Sequence, residues 1–261
     1  MGDDPAPDTR LNERQSLQAL EYEFPYHWLA EERGDAWIAG RSMQWAYEYL
    51  GLLARVRDAV VALRPNTVLD FGCGDGRLVA EIMQHTDASA IGIDMLPAAI
   101  DFARAFSSRF GERASFVCGD LEHIGDGYAD VVVAMEVLEH IPLESYARVV
   151  EQLSRCTAPD GALVVSVPTT NRPVQPKHER HFDADTLAAS LAPWFAVRTI
   201  DYAHSVRRPV EWLTRVAANR FTVLVSRRLN EPLTALYRRL DTRTGADDGA
   251  HLIAVCEHLP R

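Results

Sequence analysis

The stretch Thr67–Leu78, read TVLDFGCGDGRL, constrains this chain more than any other. Thr67–Phe71 is a short apolar run with β-branched residues, which predicts a buried strand. Gly72, Gly74 and Gly76 follow at alternate positions. Arg77–His85 then carries Leu78, Val79, Ile82 and Met83 at helical spacing. Strand, glycine loop and helix make a turn whose backbone can approach a ligand closely, with a helix N-terminus facing it. A dinucleotide fold would want G-x-G-x-x-G with its third glycine at position 77; that position is Arg77, and the third glycine is Gly76. Asp70, at the strand end, suits a ligand ammonium better than a pyrophosphate. A tight turn without a ligand is the plain alternative.

Strands alternate with helices along the chain. Ala88–Asp94, Ala114–Cys118, Ala129–Met135 and Gly161–Val167 read as further strands, with helices from Pro97 and over Leu143–Cys156 between them. Asp183–Leu191 reads as a helix, Phe195–Tyr202 as a sixth strand and His251–His258 as a seventh. This alternation predicts an α/β fold, a mostly parallel sheet covered by helices on both faces. Ahead of it, Met1–Glu13 is polar, Glu21–Ala30 is aromatic-rich, and Asp35–Leu63 has a helical stripe that predicts one or two helices. The expected division is an N-terminal tail and helical cap (1–63), a Rossmann-like core (64–204), an Arg-rich helical insertion (205–249) and a last core strand (250–261).

At 261 residues and 47% hydrophobic, the chain can bury one sizeable core. A net charge of −10 argues against nucleic-acid binding by the chain as a whole. Cys73, Cys118, Cys156 and Cys256 form no C-x-x-C pair, which disfavours a zinc-thiolate site. Cys118 and Cys256, in strand-like runs, are expected in the core. The opening residues lack the basic and apolar regions of a signal peptide, and no apolar run is long enough to span a bilayer. A cytoplasmic location is therefore expected.

Asp70, Gly72, Cys73, Gly74 and Gly76 resemble motif I, D-x-G-C-G-x-G, of the class I S-adenosylmethionine (SAM) methyltransferases. The resemblance runs from about Val68 to Val167 and over the last strand. It implies a seven-stranded sheet of order 3-2-1-4-5-7-6, the last strand antiparallel. It also implies a cofactor site: Asp70, Phe71, Gly72, Cys73, Gly74 and Gly76 as the cradle, Asp94 on the ribose and Asp120 on the adenine amine. Met95, Leu121 and Met135 would wall the adenine, with Glu136 at the strand end. Asp94 lies 22 residues after Gly72, where an acid can accept from both ribose hydroxyls. As lone acids, Asp94 and Asp120 could equally be helix caps.

Met135–Pro142, read MEVLEHIP, crowds Glu136, Glu139 and His140 at a turn after the fourth strand. It resembles the ubiquinone-biosynthesis O-methyltransferases, where this segment lines the pocket. It also resembles the small-RNA 2′-O-methyltransferases, which bind a divalent metal with E-x-x-E-H and a distant His before a Phe. That second resemblance implies a metal held by Glu136, Glu139, His140 and His181, with His178 a further candidate. Without metal, His140 is the expected general base beside Glu139.

Ser205–Arg243 holds nine arginines against Glu211, Glu231 and Asp241, a net +6 inside a chain of −10. Its stripes, Val210, Leu213, Val216 and Ala217, then Leu233, Leu236 and Leu240, predict two helices. A lid with a basic face, a solvated hairpin and a homodimer contact are the readings they allow. The expected function is O-methylation of a small hydroxylated acceptor with SAM. The alternatives are metal-dependent 2′-O-methylation of RNA and a cofactor-binding module without catalysis.

Overall fold

The computed structural model describes residues 13, 14, 17, 30–33, 36–39, 43–217, 219, 224 and 226–259. Its seven-stranded sheet comprises β1 (Thr67–Phe71), β2 (Ser89–Asp94), β3 (Ala114–Cys118), β4 (Ala129–Met135), β5 (Thr157–Pro168), β6 (Phe195–Ser205) and β7 (Gly249–His258). The order across the sheet is β3-β2-β1-β4-β5-β7-β6, as the resemblance implies. β1 runs parallel to both β2 and β4, and β7 is antiparallel to β5 and β6.

The strands are apolar on both sides because helices cover both faces. Val68, Val131 and Val133 face one way, against α1 (Met43–Ala62), α2 (Arg77–His85) and α3 (Pro97–Ser107). Leu69 and Val132 face the other, against α4 (Leu143–Cys156) and α5 (Ala184–Leu191). Two caps agree with the sequence. Pro97 occupies the first turn of α3. Asp183 caps α5, its carboxylate accepting from Thr186 N at 2.8 Å while the Thr186 hydroxyl accepts from Asp183 N at 3.0 Å.

Three expectations are corrected. The helix expected from Asp35 begins at Met43; Ala36–Ala39 is instead a strand paired antiparallel with Ala30–Arg33. The apolar stripe that predicts the helix itself starts only at Met43. Cys118 is exposed, because β3 is the sheet edge, whereas Cys256 is buried. The insertion forms α6 (Arg208–Ala217) and α7 (Arg227–Asp241), but Val216 and Leu236 point outward while Val210, Leu213 and Tyr237 form the shared core. The expectations for 1–12 and 21–29 lie outside the described residues.

Candidate active site

The strand order reverses between β1 and β4, and ligands of open α/β sheets bind beyond such a point. A cavity of about 640 Å³ opens there. Its floor is the glycine loop, pinned to β2 by Gly72 N and Cys73 N, which donate to Ile93 O at 2.7 and 2.9 Å. Gly72, Gly74 and Gly76 have φ of 75°, 53° and 73°, the left-handed region that favours glycine. A Cβ on Gly72 would also collide with Val137.

Asp94 ties the loop to the end of β2. Its Oδ2 accepts from Gly74 N at 3.0 Å and its Oδ1 from Leu96 N at 2.9 Å. Asp70 lies beneath the loop, 1% exposed, and its Oδ2 has no hydrogen-bond partner. Burial, with the charges of Asp94 and Asp75, pushes its carboxyl up to about 7. A ligand ammonium would supply the missing donor and the missing charge. Small residues at the loop, a buried orphan acid and a strand-end carboxylate therefore fit the amino acid and ribose portions of SAM.

The other end of the cavity is built from imidazoles around Glu139. This residue sits in a single turn, Leu138–His140, and is fully buried, with no hydrogen-bond partner on either carboxylate oxygen. Burial, then the nearby charge of Glu136, pushes its carboxyl well above the ordinary range. The hydrogen bonds fix the neighbouring tautomers. His140 Nδ1 lies 3.0 Å from Lys177 O, a carbonyl that can only accept, so Nδ1 carries the proton and Nε2 is the basic nitrogen. Similarly, His181 Nδ1 donates to Thr169 O and Arg172 O at 3.1 Å, so its Nε2 accepts from His178 Nδ1 at 2.9 Å. His178 is thereby left with a basic Nε2. Burial, then the charges of His140 and Lys177, lowers its pKa to about 3 and holds it neutral.

Glu139, His140 and His178 place one ligand atom each within 4.8 Å of one another. A buried carboxyl group and two imidazoles form a donor set that suits a divalent cation. Among the described residues this grouping contains His178, and neither Glu136 nor His181 of the expected set. His181 orients His178 from behind, as outer-shell partners of metal-binding imidazoles do. Glu136 is engaged elsewhere: its Oε1 accepts from Ser166 Oγ at 3.0 Å and its Oε2 lies 2.9 Å from His251 Nδ1.

His251 joins the site to the cap. Its Nε2 is 2.7 Å from Glu48 Oε1 on α1, which places the imidazole between two carboxylates. Burial opposes the charged form, but Glu136 and Glu48 outweigh it and raise the pKa to about 10. Glu48 also accepts from Arg172 and lies 3.4 Å from His204. For Glu48 burial favours the neutral form. The His251 hydrogen bond and the charges of His204, His251 and Arg172 overcome it and hold the carboxyl well below the ordinary range. Glu136 itself has φ of 56°, a strained backbone for a non-glycine residue, as is common at functional sites.

Of the expected cofactor residues, Asp70, Phe71, Gly72, Cys73, Gly74, Asp94, Met95, Asp120, Met135 and Glu136 line this one cavity, as do Glu139, His140 and His181. Gly76 and Leu121 do not. Gly76 lies where a Cβ would meet Phe116 at 2.8 Å and Ala103 at 2.9 Å, so its role is close packing of α2 on the sheet. Leu121 is fully buried in the core under α4. Asp120 also accepts from Glu122 N at 2.9 Å, so the capping alternative holds alongside its place on the wall. Glu48, Arg172 and His251 escaped the sequence reading.

Comparison with known proteins identifies the family. Residues 68–161 match the family model described as a methyltransferase domain. A ubiquinone biosynthesis O-methyltransferase of Thiobacillus denitrificans is 30% identical over 207 residues, covering 77% of this chain and 84% of the relative. Another, from Pseudomonas paraeruginosa, is 35% identical over 118 residues, 44% of this chain. The chain spans about half the length of that relative and of others like it. Among solved structures, the 1,6-didemethyltoxoflavin-N1-methyltransferase of Burkholderia thailandensis superposes with a TM-score of 0.56 at 20% identity, covering 83% of this chain and 81% of its own. The chain therefore belongs to the class I S-adenosylmethionine-dependent methyltransferases.

Proposed function

We propose that this protein transfers a methyl group from SAM to a hydroxyl of a small acceptor. The observation that carries this is a single cavity lined at one end by the glycine loop with Asp70 and Asp94, and at the other by the Glu139, His140 and His178 cluster. In this reading Asp94 accepts from the ribose hydroxyls, Asp70 faces the ammonium and Asp120 the adenine amine. Gly72 and Gly74 keep the floor low enough for the ligand. The bound cofactor supplies a methyl on a cationic sulfur, open to in-line displacement by an oxygen.

The chain's own task is then to position the acceptor and remove its proton. Without a metal, His140 Nε2 takes the proton, while the Lys177 carbonyl holds the ring and stabilises the imidazolium that forms. A second form of the reading is favoured by the Glu139 carboxyl group, which has no hydrogen-bond partner: a divalent ion held by Glu139, His140 and His178, which would acidify the acceptor hydroxyl. The O-methyltransferase relatives support oxygen as the acceptor atom.

Methyl-labelled SAM, offered with a panel of phenols, catechols and sugars, tests the proposal. Turnover should fall about 10²–10⁴-fold in His140→Ala, with SAM affinity nearly unchanged. Full turnover in that variant would refute both forms. Loss of turnover with a chelator and its return with a divalent ion would select the metal form.

A further inference from the structure

The insertion is strongly basic, yet none of its described residues, 206–217, 219, 224 and 226–248, lines the cavity. Helices α6 and α7 pack side by side on α1 and the edge strand β6, joined by Val210, Leu213 and Tyr237 with Tyr47. Their opposite faces meet solvent. On α6 that face carries Arg208, Trp212, Arg215 and Val216, spaced at i, i+4, i+7 and i+8. On α7 the outward face carries Arg228, Leu229, Leu236 and Arg239, and Arg243 lies exposed just past its end.

Large apolar side chains stand out among these arginines: Trp212 is 69% exposed, Leu229 54%, Val216 48% and Leu236 46%. Ser205–Arg243 carries +6 in a chain of −10, so the remainder stands at −16. Among the described side chains, the outward faces of the two helices thus set Arg208, Arg215, Arg228 and Arg239 around exposed apolar residues.

We propose that the outward face of α6 and α7 docks on an anionic lipid surface. Arginines on such a face attract lipid phosphates, while Trp, Leu and Val at the same level enter the boundary between headgroups and acyl chains. The chain's net charge of −10 is repelled by the same surface, which favours approach through these arginines. A two-fold contact with a second copy would set these arginines against their own copies, and a head-to-tail contact would not close. An RNA backbone would satisfy the arginines but leave Val216, Leu229 and Leu236 without use.

Sedimentation of the full chain with lipid vesicles tests this. It should bind phosphatidylcholine vesicles that contain phosphatidylserine, not phosphatidylcholine alone, and release in raised salt. Arg228→Glu, Arg239→Glu and Arg243→Glu together should weaken binding on the order of a hundredfold. Trp212→Ser should weaken it about tenfold. S-adenosylhomocysteine affinity and the melting temperature should stay as in the parent, which separates this test from that of the cofactor site. The proposal is overturned if the parent ignores anionic vesicles, or binds neutral ones equally. It is also overturned if the folded variants bind as the parent does, or if the face proves to hold polyuridylate or a second copy instead of lipid.

Discussion

Asp70 offers a test in which stability and binding should move in opposite directions. Its carboxyl is buried, its Oδ2 has no hydrogen-bond partner, and Asp94 and Asp75 are nearby. The folded protein holds this proton to about 7, against 3.8 for an ordinary Asp. Between those values the folded chain binds more protons than the unfolded one, so stability falls as pH rises through the window. Each tenfold change in proton affinity is worth about 1.36 kcal/mol, so the interval from 3.8 to about 7 amounts to a ceiling of about 4 kcal/mol. Asp70→Asn keeps the shape and removes the ionisation. Urea midpoints at pH 5 and pH 8, without ligand, should fall more steeply for the parent than for the variant, and at pH 8 the variant should be the more stable. In melting temperature the ceiling corresponds to about 10 °C. SAM affinity should move the other way, falling roughly tenfold or more in the variant, since a hydrogen bond to a charged group is worth about 1.5–3 kcal/mol. Binding by the parent should strengthen as pH rises through about 7, with proton release. Identical pH dependence in the two proteins would refute the reasoning about burial. Unchanged affinity would refute the role proposed for Asp70.

Other outcomes follow from the same geometry. Gly72→Ala should lower stability by about 1 kcal/mol or more and abolish SAM binding, because its φ of 75° disfavours a side chain and Val137 occupies the space; calorimetry and thermal melts read both. His251→Gln should be less stable than the parent at pH 6. That gap should narrow as pH rises towards about 10, because a raised imidazole contributes fully below its unfolded pKa and loses the contribution through the folded one. Urea midpoints across that range measure it. If the metal form holds, His178→Ala should abolish tight binding of a divalent ion as read by calorimetry. His181→Ala should weaken it about 10–100-fold, the usual cost of losing an outer-shell partner. Equal loss in both would restore His181 as a direct ligand.

The strands and the acids at the strand ends were legible because local pattern decides them, whereas the order of the sheet came from the resemblance of the glycine loop to motif I. Thr67–Phe71 followed by alternate glycines allows few other structures, and an acid closing β2 falls beside that loop whatever surrounds it. The far end of the cavity was less legible. Glu48 and His251 are 203 residues apart, and no periodicity announces that an α1 carboxylate will meet a β7 imidazole. Glu136, Glu139 and His140 looked alike in the turn and all three line the cavity, yet Glu136 is also tied to His251 and Ser166. HERHF pointed to His181; only the carbonyls of Thr169 and Arg172 reveal that it serves His178. Leu121 fell in the right segment but on the core side of its turn. Val216 and Leu236 fitted helical stripes that, once packed, turned them outward.

The central claim is that the cavity beside the glycine loop is the SAM site. Calorimetric titration of the full chain with SAM, repeated on Asp94→Ala, tests it most directly. The account predicts saturable binding at one site per chain in the parent, weaker by roughly tenfold or more in the variant, with the fold unchanged by circular dichroism. Absence of binding in the parent, or equal affinity in a folded Asp94→Ala variant, would contradict it.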